Sequence, residues 1–359
     1  MSDQSDTDDA APGWDAIDAA FDRLYPGRAP LHFGSVVPAF LGGNDPLNGI
    51  SAWKRLDPVP HWHFVTYGFS ELYEKESEDP EESGFGFELT MRVACTPDAE
   101  TPPPWVMNML QNLARYVFKS GNRFADGHWL NTNGPIALET GTQLCSIAFI
   151  ADPELPTIDT PNGRVAFLQV VGLTLDEEAA IKRWNARKLL ETLAPLMPLW
   201  ITDLDRTSLL SDPDTARQVE EGSRREGSST GMIFLEKLDW TVRKPLLRKP
   251  VTEVTLGANH VANLTDMLGL RLPFGNDVTL MGTQPGRMVR IVPGHANQVT
   301  ERDETHLTIT LTGATVDALA GALNPVAGRY PVPGFDALAL QIEPTLIRNQ
   351  QGEVVKTVG

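Results

Sequence analysis

The sequence predicts an α+β protein built from two domains, and three observations lead to this prediction. The chain has 359 residues, which is more than one ordinary hydrophobic core accommodates. Its hydrophobic content of 41% and charged content of 21% are typical of globular domains. Helical and strand patterns alternate along the chain without a regular βαβ repeat. We therefore expect two mixed α/β domains, each with a mostly antiparallel or mixed sheet and flanking helices.

The domain boundaries are predicted from changes in composition. Residues 1–12 are polar and acidic and have no apolar period, which predicts a disordered N-terminus. Residues 211–230 are again polar and lack an apolar period, so we place a linker there. The N-terminal domain then covers residues 13–210 and the C-terminal domain residues 231–359.

The stretch 61–93 predicts the centre of the N-terminal sheet. Aromatic and β-branched residues alternate from His61 to Phe69, which is the period of a pleated strand. A second alternating run, from Ser83 to Val93, follows an acidic spacer at residues 74–82. We expect these two runs to be strands of one sheet.

The other elements are predicted from apolar spacing and charge placement. Helices are predicted over Gly13–Tyr25, Pro104–Lys119, Asp176–Leu193 and Ala314–Leu323. Strands are predicted over Gly141–Ala151, Gly163–Leu173, Leu199–Asp203, Met232–Leu235, Val278–Met281, Met288–Val292, His306–Thr312 and Ala337–Ile342. A short apolar run is predicted at Val36–Leu41, and a basic connection at Lys237–Pro250.

Charge and composition exclude several classes of partner. The net charge is −17, and the first 240 residues hold 19 basic and 37 acidic side chains, a net charge of −18. Such a field repels nucleic acid and anionic lipid, and it favours either a basic partner or solubility alone. No apolar run is long enough to span a membrane. The acidic N-terminus and the two cysteines, Cys95 and Cys145, favour a reduced cytoplasmic protein, and we expect a monomer.

Several blocks of the sequence resemble the suppressor of fused (SUFU) family, in the order in which the family has them. The blocks are LYPG (24–27), LGGNDPL (41–47), HWHFVTYGFSELY (61–73), SGFGFELT (83–90), LARYVFKS (113–120), GRVAFLQVVG (163–172) and PLWITD (198–203). The resemblance is specific over residues 13–205 and continues more weakly from Gly231 onward.

This resemblance implies a non-enzymatic binding protein. In the family, two α/β domains clamp an extended peptide, which adds as a strand in a cleft between them. The peptide belongs to Gli-type transcription factors in animals, whereas bacterial members are linked to immunity against toxins. This chain lacks the long polar insert of the animal C-terminal half, which favours a bacterial member.

The resemblance also implies five partner-binding residues. By position in the family's blocks, Tyr116, Phe124 and Asp126 line the peptide cleft, and Met232 and Phe234 lie on the strand that pairs with the peptide. Helical spacing alone would assign Tyr116 and Phe124 to the core. A basic or hydroxyl-bearing partner residue would suit Asp126, and no cofactor is implied.

A metal-dependent hydrolase is the alternative function. His61 and His63 fall on one strand face, as a pair of metal ligands could, and Glu88, Asp126 or His128 would have to complete the site. No ligand spacing supports this set, so hydrogen-bonded structural histidines are favoured and no metal is expected.

Other catalytic patterns are weaker still. Asp203 and Asp205 fall on one face after a predicted strand, but a solvated strand end is the favoured interpretation. The sequence contains neither a glycine-rich phosphate loop nor a GxSxG nucleophile motif. We therefore expect that the protein is not an enzyme.

Overall fold

A computed structural model describes residues 10–34, 45–243, 250–283, 286–348 and 353–359. The chain divides into two compact units. Unit 1 comprises Met1–Ala180 and Ala186–Arg217, and unit 2 comprises Ile181–Asn185 and Gln218–Gly359. Helices and mixed sheets are interspersed in both units, which confirms the predicted α+β class. Among the described helices, none is both long and apolar enough to cross a membrane.

Seven α-helices and nineteen strands lie in the described residues. The helices are α1 (Pro12–Leu24), α2 (Pro104–Ser120), α3 (Leu175–Arg183), α4 (Ala186–Leu193), α5 (Pro213–Glu226), α6 (Val261–Arg271) and α7 (Gly313–Ala322). The strands up to residue 174 are β1 (Leu31–Gly34), β2 (Gly49–Arg55), β3 (His61–Tyr67), β4 (Glu82–Ala94), β5 (Trp129–Asn131), β6 (Leu144–Ala151), β7 (Ile158–Thr160) and β8 (Gly163–Thr174). The later strands are β9 (Met232–Leu235), β10 (Leu238–Arg243), β11 (Val251–Gly257), β12 (Val278–Gly282), β13 (Met288–Pro293), β14 (Gln298–Glu301), β15 (His306–Leu311), β16 (Gly328–Pro331), β17 (Leu338–Glu343), β18 (Thr345–Arg348) and β19 (Val354–Val358).

Unit 1 is organised around one eight-stranded mixed sheet. Its strand order is β1-β2-β3-β4-β8-β6-β5, and β7 pairs with the end of β8. Strands β3 and β4 are adjacent and antiparallel, with Trp62 opposite Val93, so the predicted sheet centre is confirmed. The alternation along β3 places Phe64 in the cluster beneath α2 and Val65 in the cluster beneath α1. Helices therefore cover both faces of the sheet, which is why β3 is buried along its whole length.

Unit 2 contains two larger sheets around one hydrophobic core. The four-stranded sheet has the order β10-β11-β17-β16, and the five-stranded sheet has the order β14-β15-β13-β12-β9. Side chains from both sheets and from α6 and α7 meet in a single cluster that includes Trp240, Leu264, Val289 and Leu319. Strands β18 and β19 form a separate two-stranded ribbon.

The predicted single helix over Asp176–Leu193 is wrong in detail, because α3 ends at Arg183 and α4 begins at Ala186. Between them, Trp184 is buried against α5, where any side chain larger than the hydrogen of Gly222 would collide with its ring. The Trp184 indole N–H also donates to the Glu226 carboxylate at 2.8 Å. Burying this indole requires the chain to turn, and the turn ends α3.

The predicted strand over Leu199–Asp203 is also wrong. Residues Pro198–Trp200 form a 3-10 turn, and only Thr202 makes a strand-like bridge, to Val93. Leu199 and Trp200 both adopt left-handed backbone angles, with φ of 52° and 49°. The buried Gln169 amide donates to both of their carbonyl oxygens and so stabilises this uncommon conformation.

The polar segment 211–230, where the sequence predicts a linker, is a helix over most of its length. Thr215, Val219 and Ser223 recur every four residues along α5 and are buried. Because two of these three side chains are small and polar, the buried face of α5 has no apolar period. The predicted apolar run Val36–Leu41 and residues 1–9 lie outside the described residues. The predicted connection Lys237–Pro250 contains strand β10.

Candidate functional site

The end of α2 presents the first predicted binding residue, Tyr116. The helix stops at Gly121, which adopts the left-handed conformation (φ 72°) common at helix C-termini. Tyr116 lies in the last turns of α2 and is 43% exposed. Its hydroxyl accepts a hydrogen bond from the Asn122 side chain at 3.2 Å. The ring is thus available at the surface and held by its own loop.

Phe124 supports the Tyr116 ring from below. The two rings stack with a centroid distance of 5.7 Å and an interplanar angle of 18°. On its other side, Phe124 stacks on Phe149 at 4.0 Å, and it is only 9% exposed. Phe124 therefore belongs to the hydrophobic core of unit 1, whereas Tyr116 is the outer, accessible ring of the stack.

Asp126 follows Phe124 in the same loop and is already engaged by protein groups. Its carboxylate forms an ion pair with Arg187 of α4 at 2.8 Å, and it accepts a hydrogen bond from the Ala151 backbone N–H at 3.3 Å. A partner cation would have to share this carboxylate with Arg187, which is itself more than half exposed.

Strand β9 carries the other two predicted residues, Met232 and Phe234, at an edge of the five-stranded sheet. In the described residues, β9 pairs with β12 on one side only. Ile233 and Leu235 point into the core of unit 2, whereas Met232 and Phe234 are 46% and 63% exposed. Two large apolar side chains are therefore exposed beside a strand edge. Natural sheets usually protect such an edge with charged side chains, prolines or bulges.

The hydrogen bonds to β12 show which backbone groups face outward from β9. The carbonyl oxygens of Gly231 and Leu235 accept from the N–H groups of Thr279 and Thr283. Because alternate residues of a strand direct their N–H and C=O groups to opposite sides, those of Met232 and Phe234 face the unpaired side. The edge thus offers an alternating set of donors and acceptors.

A buried arginine fixes the start of this edge strand. The Arg271 guanidinium donates to the carbonyl oxygens of Ser228 (2.5 Å) and Asp277 (2.6 Å). It lies directly under Gly231, where an added Cβ would come within 2.7 Å of Nη2. Burial of the guanidinium lowers the pKa of Arg271 from its ordinary value. Sequence patterns give no indication of this support, because Arg271 and Gly231 are forty residues apart.

The two histidines of the alternative metal site are fully buried and each has a protein partner. His61 donates from Nδ1 to the Val59 carbonyl oxygen at 2.7 Å. Nδ1 of His63 lies 2.8 Å from the Tyr25 hydroxyl, and its Nε2 lies 3.4 Å from an oxygen of Asp152. Burial lowers the pKa of both imidazoles, that of His63 to about 4.

The carboxylates proposed for a metal or catalytic site are not assembled around these histidines. Glu88 accepts hydrogen bonds from Thr66, Gly68 and Ser70, and no group of three His, Cys, Asp or Glu side chains in the described part of the chain could hold a metal ion. Asp203 and Asp205 are exposed, and Asp203 accepts from the Asp205 backbone N–H at 3.0 Å.

One exposed aromatic residue near Tyr116 was missed from the sequence. Phe118 is as exposed as Tyr116, and its ring makes a T-shaped contact with that of Phe85, with the centroids 4.9 Å apart. Helical periodicity assigns neither residue to a surface site, since Val117 between them is fully buried.

The fold and these sites describe a mixed α/β protein of two units that presents an aromatic ring on unit 1 and an apolar strand edge on unit 2. A sequence model of the suppressor of fused protein family matches residues 43–207. The human suppressor of fused homolog is 34% identical over an alignment of 236 residues that covers 60% of this chain and 48% of the human protein. The chain thus spans about half the length of the curated relatives it matches.

Two crystal structures extend this similarity to the fold. A chain of the Sufu–Fu complex is 32% identical, with a TM-score of 0.55 over 58% of this chain and 98% of that chain. Drosophila Suppressor of Fused has a TM-score of 0.79 at 23% identity, over 93% of this chain and 97% of that chain, and therefore shares its fold. The chain belongs to the suppressor of fused family.

Proposed function

We propose that this chain is a regulator without catalytic activity that binds an extended segment of a partner protein at the edge of β9 that no other described strand pairs with. The observation that carries the proposal is the outward-facing backbone of Met232 and Phe234 together with their exposed side chains. Main-chain hydrogen bonds to such an edge supply affinity with little demand on sequence, and the side chains select the partner. A relative has been crystallised in a Sufu–Fu complex, which supports the same kind of role.

We further propose that Tyr116 is a second contact for the partner, on unit 1. An exposed aromatic ring supported by a rigid stack offers contact area at little cost in conformational entropy. Asp126 would accept a basic or hydroxyl-bearing partner residue beside it. Phe124 would act by holding Tyr116, because its own ring is mostly buried. The peptide cleft between the domains stays a prediction.

The test begins with peptides selected from a display library against the full chain and then synthesised. Phe234→Pro should abolish binding, because proline removes the outward N–H and leaves the residues that bond to β12 unchanged. Phe234→Thr keeps this N–H and should weaken binding less. A peptide that binds wild type and Phe234→Pro equally, with both proteins folded by circular dichroism, would rule out strand addition at β9.

Tyr116→Ala provides the corresponding test on unit 1. Truncating a central aromatic contact typically costs about 2 kcal/mol of binding free energy or more, mainly through faster dissociation. The melting temperature should stay close to that of wild type, since the ring is nearly half exposed. If Tyr116→Ala unfolds the chain, or leaves the dissociation rate unchanged, the residue is structural.

The proposal extends to the role of the protein in the cell. We propose a cytoplasmic monomer whose partner is either a sequestered regulatory protein or a toxin that the chain neutralises as an immunity protein. A toxin gene beside this gene, and rescue of cells from that toxin by co-expression, would select immunity. If the Phe234→Pro variant still rescues the cells, immunity does not depend on the β9 edge.

A further inference from the structure

Unit 1 contains a surface cavity that none of the proposed partner-binding residues touches. Its volume is about 670 Å³. It lies between the end of α1 and the end of β2, and its lining consists of Leu24, Tyr25, Pro26, Arg28, Lys54, Arg55, Leu56, Asp57 and Pro97. The lining holds three cationic side chains and one carboxylate, although unit 1 belongs to the part of the chain with a large excess of acid.

Two of the three cations form no ion pair with a carboxylate in the described residues, although side-chain hydrogen bonding to Thr96 and, to a smaller degree, the charge of Lys54 lower the pKa of the exposed Asp98. The Lys54 ammonium donates to the carbonyl oxygens of Pro97 (2.6 Å) and Ala99 (2.5 Å), which position it without neutralising its charge. The Arg28 guanidinium donates from Nη2 to the Lys54 carbonyl oxygen and lies 5.8 Å from the centre of the Tyr25 ring. Arg28 uses one of its nitrogens in this bond, so the remaining N–H groups can bind a ligand.

Arg55 shows how a cation in this chain is normally neutralised. Its guanidinium donates to both oxygens of Glu154, at 2.7 and 2.8 Å. Of the cations in unit 1, several more form such pairs, including Arg92 with Asp152 and Arg206 with Glu177. In a protein with 47 acidic and 30 basic side chains, carboxylates are abundant. Two neighbouring cations that line one cavity without forming such an ion pair are therefore an exception.

The other lining groups define what kind of anion would fit. The hydrocarbon surfaces of Leu24, Pro26, Leu56 and Pro97 form apolar walls, and Tyr25 also belongs to the lining. Asp57 also lies on the lining, and its carboxylate repels a ligand that carries negative charge over its whole surface. A planar guanidinium binds two oxygens of one carboxylate or phosphate, and an adjacent ammonium adds a point charge.

The geometry points to a binding site for a phosphate or carboxylate group that carries an apolar substituent, held by Arg28 and Lys54. The anionic group lies between the two cations, and the substituent contacts the apolar walls. This site is separate from the β9 edge and from Tyr116, so its test does not depend on the proposed partner.

The test is a calorimetric titration of the full chain at constant ionic strength. Inorganic phosphate, phenyl phosphate, acetate and benzoate are the four probes, and together they separate the anionic group from the substituent. We expect saturable binding, with each phenyl-bearing probe bound about fivefold or more tightly than its parent anion, because part of the ring becomes buried. The phosphate and carboxylate series then show which oxyanion the site prefers.

Arg28→Gln should weaken binding about tenfold or more, since it removes charge-assisted hydrogen bonds to the ligand. Arg302→Gln is the matched control, because Arg302 is an exposed arginine of unit 2 and the change in net charge is the same. Arg28→Lys keeps the charge and should restore part of the affinity. Arg28 is exposed, so both of its variants should melt at the wild-type temperature.

Two results would overturn the site. One is the absence of saturable binding by wild type for all four probes at about 10 mM, beyond the weak end of ordinary ligand affinities. The other is an equal loss of affinity in Arg28→Gln and Arg302→Gln, which would show that the anions respond only to the overall charge.

Discussion

Glu88 is a carboxylate buried in the middle of the unit 1 sheet. Hydrogen bonding and burial have opposite effects on its protonation. Four hydrogen bonds, from Thr66, from the Gly68 backbone and from both groups of Ser70, favour the ionised form. Complete burial favours the neutral form and is the larger effect, because it raises the pKa of Glu88 from 4.5 to about 7. A shift of this size corresponds to about 3 kcal/mol between the two protonation states.

The first prediction concerns the dependence of stability on pH. Between pH 4.5 and about 7 the folded chain holds a proton on Glu88 that the unfolded chain has released, so this residue makes the free energy of unfolding fall as pH rises. Glu88→Gln cannot release a proton. Relative to wild type, we therefore expect the free energy of unfolding of the variant to increase as pH rises through this window, by about 3 kcal/mol in total. Urea unfolding at pH 4.5, 6 and 8 measures the difference.

His63 makes the comparison with the variant necessary, because its contribution has the opposite sign. Burial, followed by the nearby charge of Arg92, lowers the pKa of His63 from 6.5 to about 4. The unfolded chain therefore binds this proton first, and the free energy of unfolding falls as pH drops from 6.5 to 4. The wild-type curve contains both effects, whereas the difference from Glu88→Gln isolates the carboxylate. A constant difference from pH 4.5 to 8 would contradict the raised pKa.

Arg92 shows what could not be predicted at the residue scale. It is fully buried in β4 and donates to Asp152, Glu154 and Gln169, which are sixty or more residues away. Sequence spacing carries no information on such distant partners. The strands around Arg92 were predictable from the sequence, because the alternation along β3 and β4 depends only on which side chains face the two helices.

At the scale of elements, strands and helices with a strong apolar period were predictable from the sequence. Helix α2 and strands β3, β4 and β15 agree with their predicted ranges within a few residues. The failures have a common cause, which is that a tertiary contact overrides the local pattern. Trp184 ends α3 because its indole is buried against Gly222, and Gln169 stabilises the left-handed turn at Leu199. For α5, small polar residues on the buried face conceal the helical period.

The second prediction concerns strand β9. Gly231→Ala should lower the free energy of unfolding by about 1–3 kcal/mol, because the added methyl group overlaps the Arg271 guanidinium. That guanidinium is held by two carbonyl oxygens and cannot move away without losing these bonds. Chemical denaturation of the full chain measures the change.

Gly269→Ala in α6 is the matched control for this substitution. An added Cβ at Gly269 meets no atom within 4 Å, so alanine should stabilise the helix by up to about 1 kcal/mol. Opposite signs for the two glycine variants are therefore expected. Equal effects would show that Arg271 yields to the methyl group and does not fix the start of β9.

At the scale of the whole molecule, the distribution of charge is uneven. The first 240 residues carry a net charge of −18, and residues 241–359 carry 11 basic and 10 acidic side chains, a net charge of +1. Many acidic groups form surface ion pairs, such as Asp266 with Arg183 and Glu220 with Arg224. Exposed pairs of this kind contribute little to stability, so the excess of acid acts mainly on what approaches the protein.

The last prediction follows from this excess, for a partner segment that is basic. The acidic field should accelerate encounter, so raising the ionic strength from about 0.05 to 0.5 M should slow association about tenfold or more and leave dissociation nearly unchanged. Stopped-flow mixing with a basic peptide selected against the chain measures both rates. Asp126→Asn should reduce this salt dependence, because Asp126 is a partly exposed carboxylate two residues after Phe124, whose ring stacks on that of Tyr116. Glu220→Gln, which removes an exposed carboxylate of α5, is the control for the same change in net charge. If association of the basic peptide is insensitive to salt, or if the two variants behave alike, the charge near Tyr116 does not guide the partner.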